Sequence, residues 1–85
     1  MDIEFDDEKS ANCREKRGFG FEIAERFEAV VVEHDTRSDY GEARFRAFGF
    51  IDGKKFCLAF TPRHGRVRVI SLRQMHDKEA RKYGF

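Results

Sequence analysis

The stretch Arg66-Val67-Arg68-Val69-Ile70-Ser71-Leu72-Arg73, followed by His76-Asp77-Lys78-Glu79-Ala80-Arg81-Lys82-Tyr83, sets the frame of this chain. Its first half alternates arginine with aliphatic residues at a period of two, the pattern of a strand with one apolar and one polar face. Its second half carries Asp77, Lys78, Glu79, Arg81 and Lys82 with no β-branched residue, which predicts a short terminal helix. That helix lays Ala80 against the sheet, with Tyr83 as a further candidate for the same contact. A cationic strand therefore feeds a cationic helix. Arginines on an internal strand are costly unless their heads reach solvent, a carboxylate or a phosphate, so Arg66 and Arg68 on one face need a partner.

Upstream, Asp52-Gly53 between two alternating runs is a two-residue hairpin signal. It predicts Ile51 opposite Lys54, Gly49 opposite Phe56, Ala47 opposite Leu58 and Phe45 opposite Phe60. Small residues then face large ones on the side that helices would cover, which supports the register independently of the turn. A four-residue loop Pro62-Arg63-His64-Gly65 would next place Thr61 opposite Arg66, Ala59 opposite Arg68 and Leu58 opposite Val69. By alternation the other face reads Arg44, Thr61, Arg66 in one row, Arg46, Ala59, Arg68 in the next, and Phe48, Cys57, Ile70 in the third. Like charges on neighbouring strands repel, and Thr61 and Ala59 leave a hollow between them. A cationic depression floored by Phe48 and Ile70 suits a phosphodiester with a base stacked nearby, and a merely solvated face is the alternative.

Toward the N-terminus, Ile3-Glu4-Phe5 reads as a short edge strand and Asp6 as the N-cap of a helix with Asp7 and Glu8 in its first turn. Gly18 ends that helix just past Arg17. Phe21, Ala24 and Phe27 at spacings of three predict a second short helix, Val30-Val31-Val32 a strand over Ala29–Glu33, and the polar residues His34 to Gly41 a loop. The expected fold is α+β: a small antiparallel sheet, a meander of three to four strands, with two N-terminal helices on one face and a short C-terminal helix.

Eighty-five residues correspond to one domain, 1–85, and ten Phe with no Trp predict a core of aromatic plates. No stretch resembles a signal peptide or a membrane span, so a cytoplasmic protein with no membrane partner is expected. Cys13 and Cys57 are expected as reduced thiols. Neither they nor His34, His64 and His76 have the spacing of a metal site, and no cofactor is implied. Residues 1 to 60 carry 10 Lys/Arg against 14 Asp/Glu, a balance of −4, whereas residues 61 to 85 carry 7 against 2, a balance of +5. Such a molecule meets a polyanion with one side only.

The pattern Ile3-Glu4-Phe5-Asp6, Lys9, Lys16-Arg17-Gly18, Phe21-Glu22, Gly41-Glu42-x-Arg44-Phe45 and Arg66-x-Arg68-x-Ile70-Ser71-x-Arg73 with Glu79 and Tyr83 resembles the BrnT toxins of bacterial type II toxin-antitoxin modules. The C-terminal part is its most specific portion. The chain departs from the family where Phe5 stands for Trp, Cys13 for Asn, and Lys16-Arg17-Gly18 for Lys-His-Gly. The resemblance implies a RelE-like fold and an endoribonuclease that arrests translation. It also implies a BrnA-type ribbon-helix-helix antitoxin, with operator DNA bound only through the antitoxin complex.

Metal-free RNA cleavage uses the 2′-hydroxyl as internal nucleophile and needs a base, an acid and positive charge on the pentavalent phosphate. The expected phosphate clamps are Arg44, Arg46 and Arg68, with Arg66 outside them. Glu42 is the candidate base, and His64 the candidate acid, with an exposed loop residue as its alternative reading. Arg73 and Tyr83 join the site through the resemblance alone; on parity Arg73 falls on the core face, with Glu79 or a helix end as an alternative partner. Two other functions stay open: a noncatalytic RNA-binding or regulatory domain using the same arginines, and a protein-interaction module.

Overall fold

A computed structural model covers residues 1–85. Five strands form one mixed sheet, β1 (Ile3–Glu4), β2 (Glu28–His34), β3 (Phe45–Ile51), β4 (Lys54–Arg63) and β5 (Arg66–Gln74), in the order β1-β5-β4-β3-β2. The sheet exceeds the expected three to four strands, and it is not purely antiparallel. β2, β3, β4 and β5 are antiparallel neighbours, while β1 runs parallel to β5 at Ile3↔Val67 and Glu4↔Arg68. Helix α1 (Asp7–Arg17) and a 3₁₀ turn (Phe21–Arg26) precede β2, and α2 (Asp77–Lys82) follows β5.

Local chemistry accounts for the boundaries. The Asp6 side chain accepts a hydrogen bond from the Lys9 amide, satisfying one of the free donors of the first turn of α1, and Gly18 closes the helix at φ 86°. The segment from Phe21 winds as a 3₁₀ turn because a spacing of three apolar residues matches three residues per turn. Asp52 and Gly53 both take positive φ, as a mirror-type two-residue turn requires, and the predicted β3–β4 register holds at every pair. On β2 an extra residue bulges between Ala29 and Val31. There the Glu28 carbonyl passes so close to Gly49 that a Cβ would sit 2.0 Å from it.

The β4–β5 register differs from the expected one. His64 (φ 54°) and Gly65 (φ 73°) make another two-residue turn, so Pro62 and Arg63 stay in β4 and the strands pair as Arg63↔Arg66 and Thr61↔Arg68. The register then shifts, from Phe60↔Val69 to Ala59↔Ser71, leaving Ile70 as the extra residue. This bulge inverts the parity of the rest of β5. Leu72 turns inward and is fully buried, while Arg73 moves beside Cys57 on the opposite face. Ile70 therefore does not floor the arginine face; it lines a hollow with α1.

The sheet separates two layers. On one face Cys13 of α1 and Phe21, Ala24 and Phe27 pack on Ala47, Ile51, Phe56, Leu58, Val69 and Leu72. On the other, α2 buries Ala80 and lays the Tyr83 ring on Phe48, centroids 3.9 Å apart and 19° from parallel. Both cysteines are buried free thiols. No helix is long and apolar enough to cross a membrane.

Candidate functional site

The face under α2 carries the arginines. Its rows read Thr61, Arg68, Glu4 near the His64–Gly65 turn, then Glu33, Arg46, Ala59, Ser71, then Val31, Phe48, Cys57, Arg73. Arg68 thus replaces Arg66 opposite Thr61, and Arg73 takes the place expected for Ile70.

The open cationic hollow predicted between the arginines is not formed, because each guanidinium meets a carboxylate. Arg68 Nη1 donates to Glu4 Oε2 at 2.9 Å, and Arg66 Nε to Asp2 Oδ1 at 3.0 Å. Glu42 lies between Arg63 (3.3 Å) and Arg44 (3.6 Å), and Arg44 covers the Tyr40 ring at 4.1 Å. Arg46 pairs with Glu33, and Arg73 holds Glu79 through two parallel bonds of 2.7 and 2.9 Å. In the loop before β3, Arg37 grips the buried Asp35 with bonds of 2.8 Å. These pairs relieve the mutual repulsion of the cations. Thr61 donates to the Ala43 carbonyl at 2.6 Å, which fixes the approach to β3.

Tyr83, Glu33 and Arg46 form a connected unit. Glu33 Oε1 accepts from the Tyr83 hydroxyl at 2.8 Å and from Arg46 Nη2. The Tyr83 hydrogen bond, joined by that of Arg46, holds the Glu33 carboxyl below the usual carboxylate range. Burial and the neighbouring carboxylate push the Tyr83 phenol upward, so it stays protonated and donates. Glu79 is likewise held down by Arg73, and burial pushes the Cys57 thiol up.

Beside this unit opens a hollow of about 520 Å³ lined by Arg46, His76, Lys78, Glu79, Lys82 and Tyr83. A second, of about 430 Å³, is lined by Arg17, Phe19, Arg73, Gln74, Met75 and His76. His76 is shared by both and exposed. Lys78 and Lys82 make no ion pair, so their charge is free, and Lys82 Nζ stands 5.3 Å over the Tyr83 ring.

The structure therefore brings Arg46, Arg73 and Tyr83 to one region and leaves Arg44, Arg66 and Glu42 at the other end of the sheet face, with Arg68 nearest them in register. His64 is an exposed turn residue with no hydrogen bond to any of them. Sequence reasoning gave no role to Glu33, His76, Lys78 or Lys82. The i, i+4 spacing of Lys78 and Lys82 would have marked one helix face, and extending the register to β2 would have set Glu33 opposite Arg46. No three His, Cys, Asp or Glu side chains come together as a metal-ligand group.

No curated protein and no solved structure matches the chain. Residues 5–79 match the family model described as a ribonuclease toxin, BrnT, of a type II toxin-antitoxin system. That span takes in the bulged β5, the Arg73–Glu79 bridge and the Glu33–Arg46 pair, and it makes this chain a member of the BrnT family of ribonuclease toxins.

Proposed function

We propose that the chain is a metal-independent endoribonuclease with a RelE-like fold that cuts RNA at the α2 side of its sheet and thereby inhibits translation in the cytoplasm. The observation that carries this reading is the position of His76 between two hollows lined by Arg73 on one side and by Arg46, Lys82 and Tyr83 on the other. A phosphodiester seated there meets cations that neutralise the pentavalent phosphorane, and an imidazole nitrogen within the same hollow to accept a proton.

In the proposed reaction the 2′-hydroxyl oxygen attacks the adjacent phosphorus as its proton passes to His76. The bond to the 5′-oxygen breaks, that oxygen takes up a proton from solvent water, and a 2′,3′-cyclic phosphate remains. Arg46, Arg73 and Lys82 hold the phosphate oxygens. Glu33 positions Arg46 and the Tyr83 hydroxyl rather than touching RNA. Arg44, Arg66 and Arg68 reach RNA by exchanging their carboxylates for phosphate, and Glu42 and His64 are the second pair of candidates for base and acid. The chain's toxin family brings an antitoxin partner, which we take to be of the BrnA ribbon-helix-helix type, reading operator DNA for the complex.

Incubating purified protein with RNA in excess chelator tests the reading. Cuts ending in 2′,3′-cyclic phosphate, lost in His76→Ala and retained in His64→Ala, are expected. A chelator that stops cleavage overturns metal independence, and retained cutting by His76→Ala overturns the assignment of that residue. The occupied state of Glu33, Glu42 and Glu79 favours a second reading, RNA binding without proton transfer. A gel shift without cleavage distinguishes it.

A further inference from the structure

The charges without partners trace a path. Of the 17 Lys and Arg residues, nine are in ion pairs, and the eight left over are Lys9, Lys16, Arg17, Lys54, Lys55, Lys78, Arg81 and Lys82. Five of these eight line three hollows. Two are those already described, and the third, of about 210 Å³, lies along α1 and includes Lys9, Asn12, Lys16, Arg17, Ile70 and Ser71. The three are neighbours, since Arg17 lines the α1 hollow and the middle one, and His76 lines the middle one and the α2 hollow. Glu79 is the single acid along them, and Arg73 neutralises it.

The fold explains why this path is open. β1 covers β5 only at Val67 and Arg68, so β5 from Val69 onward has no strand on that side. The edge is occupied instead by the end of α1, where Cys13 and Arg17 approach the Leu72 carbonyl at 3.6 and 3.5 Å. Ile70 at the β5 bulge, with Ser71 next to it, lines the same region. The path thus starts along α1, which packs on one face of the sheet, passes the free edge of β5, and ends under α2 on the other face.

We infer that this path is an extended binding track for single-stranded RNA, in which Lys9, Lys16 and Arg17 take phosphates several positions from the bond cut beside His76. The inference rests on the RNA-cutting reading for the identity of its ligand. A track that passes around a sheet edge excludes a stiff duplex, whereas a single strand follows it with its phosphates on the free cations. Phe19, half-buried in the middle hollow, offers a ring edge for a base.

The test uses 2′-O-methyl oligouridylates, which bind but lack the attacking hydroxyl, at lengths of two and twelve nucleotides. In Lys9→Gln/Lys16→Gln, affinity for the longer probe should fall roughly tenfold at low salt, and its log–log salt slope should flatten by about 1.4, two phosphates at about 0.7 each. The dinucleotide should bind both proteins alike. Arg63→Gln, at the end of β4 opposite Arg66 and away from the three hollows, should match the unaltered protein with either probe. Unchanged binding of the longer probe by Lys9→Gln/Lys16→Gln, or equal binding of a twelve-base-pair RNA duplex, overturns the track. Cleavage of unmodified RNA is scored separately. If the unaltered protein cuts nothing while the length-dependent loss persists, the nuclease reading fails and the track stands.

Discussion

Glu33→Gln should make the protein less stable and a tighter binder of RNA at once. Glu33 accepts hydrogen bonds from Arg46 and Tyr83 on one oxygen, and its side chain is 34% exposed. Replacing the carboxylate with an amide keeps the shape but turns two charge-assisted bonds into weaker neutral ones. Solvent screening at this exposure limits the loss to about 1 kcal/mol, or a fall in Tm of about 5 °C for a domain of this size. The same change removes the carboxylate that competes with phosphate for the Arg46 guanidinium, which raises the net positive charge facing RNA by one, the equivalent of about one phosphate neutralised. At about 0.7 per contact on a log–log salt plot, one contact gains about fivefold in affinity between 1 M and 0.1 M salt. Thermal unfolding and fluorescence anisotropy with a 2′-O-methyl oligonucleotide, repeated across salt, measure both quantities. A lower Tm with unchanged affinity and salt slope would show that Arg46 does not bind phosphate. An unchanged Tm would show that the Tyr83–Glu33–Arg46 unit contributes nothing to folding.

The two parallel hydrogen bonds from Arg73 to Glu79 fasten α2 to β5, so a double-mutant cycle of Arg73→Ala and Glu79→Ala should give a coupling energy of about 1 kcal/mol; additive losses would deny the link. Leu72→Ala should cost about 3 kcal/mol in denaturant unfolding, since the side chain is wholly buried in the helix-covered core, and a loss below 1 kcal/mol would contradict the inverted parity after Ile70. Glu22, Glu33, Asp35, Asp52 and Glu79 are all held below their ordinary carboxylate range by arginine or tyrosine partners. Their contribution is present above about pH 4 to 4.5 and is lost as pH falls through the lowered folded values, so Tm should drop on acidification below pH 4.5; a flat profile to pH 3 would refute it. The antitoxin should cover the Arg46–Tyr83 region with an acidic and apolar segment that orders on docking. Its affinity should fall with salt less steeply than RNA affinity does, and an equal slope would mean that apolar contacts are absent.

The β3–β4 hairpin was legible because Asp52-Gly53 and the small-against-large pairing give two independent signals for one register. The β4–β5 hairpin had one signal, and Pro62 obscured it by suggesting a wider loop than the His64-Gly65 turn that forms. The bulge at Ile70 was hidden for a different reason. Arg-Val-Arg-Val-Ile keeps its apolar character through the extra residue, so alternation persists on either side while its phase changes, and only the burial of Leu72 discloses the new phase. Charge was harder still. A count along the chain found a basic last part, yet Arg66, Arg68 and Arg73 are neutralised by Asp2, Glu4 and Glu79, two of which stand 64 residues away. The short parallel β1 creates that neutralisation by bringing the acidic N-terminus alongside β5. Its shortness has the opposite effect further on, because where β1 stops the β5 edge is left to α1 and α2, whose lysines have no carboxylate opposite them. The length of one two-residue strand thus separates Arg66 and Arg68, which the N-terminal carboxylates neutralise, from the lysines of α1 and α2 that are left free for a polyanion.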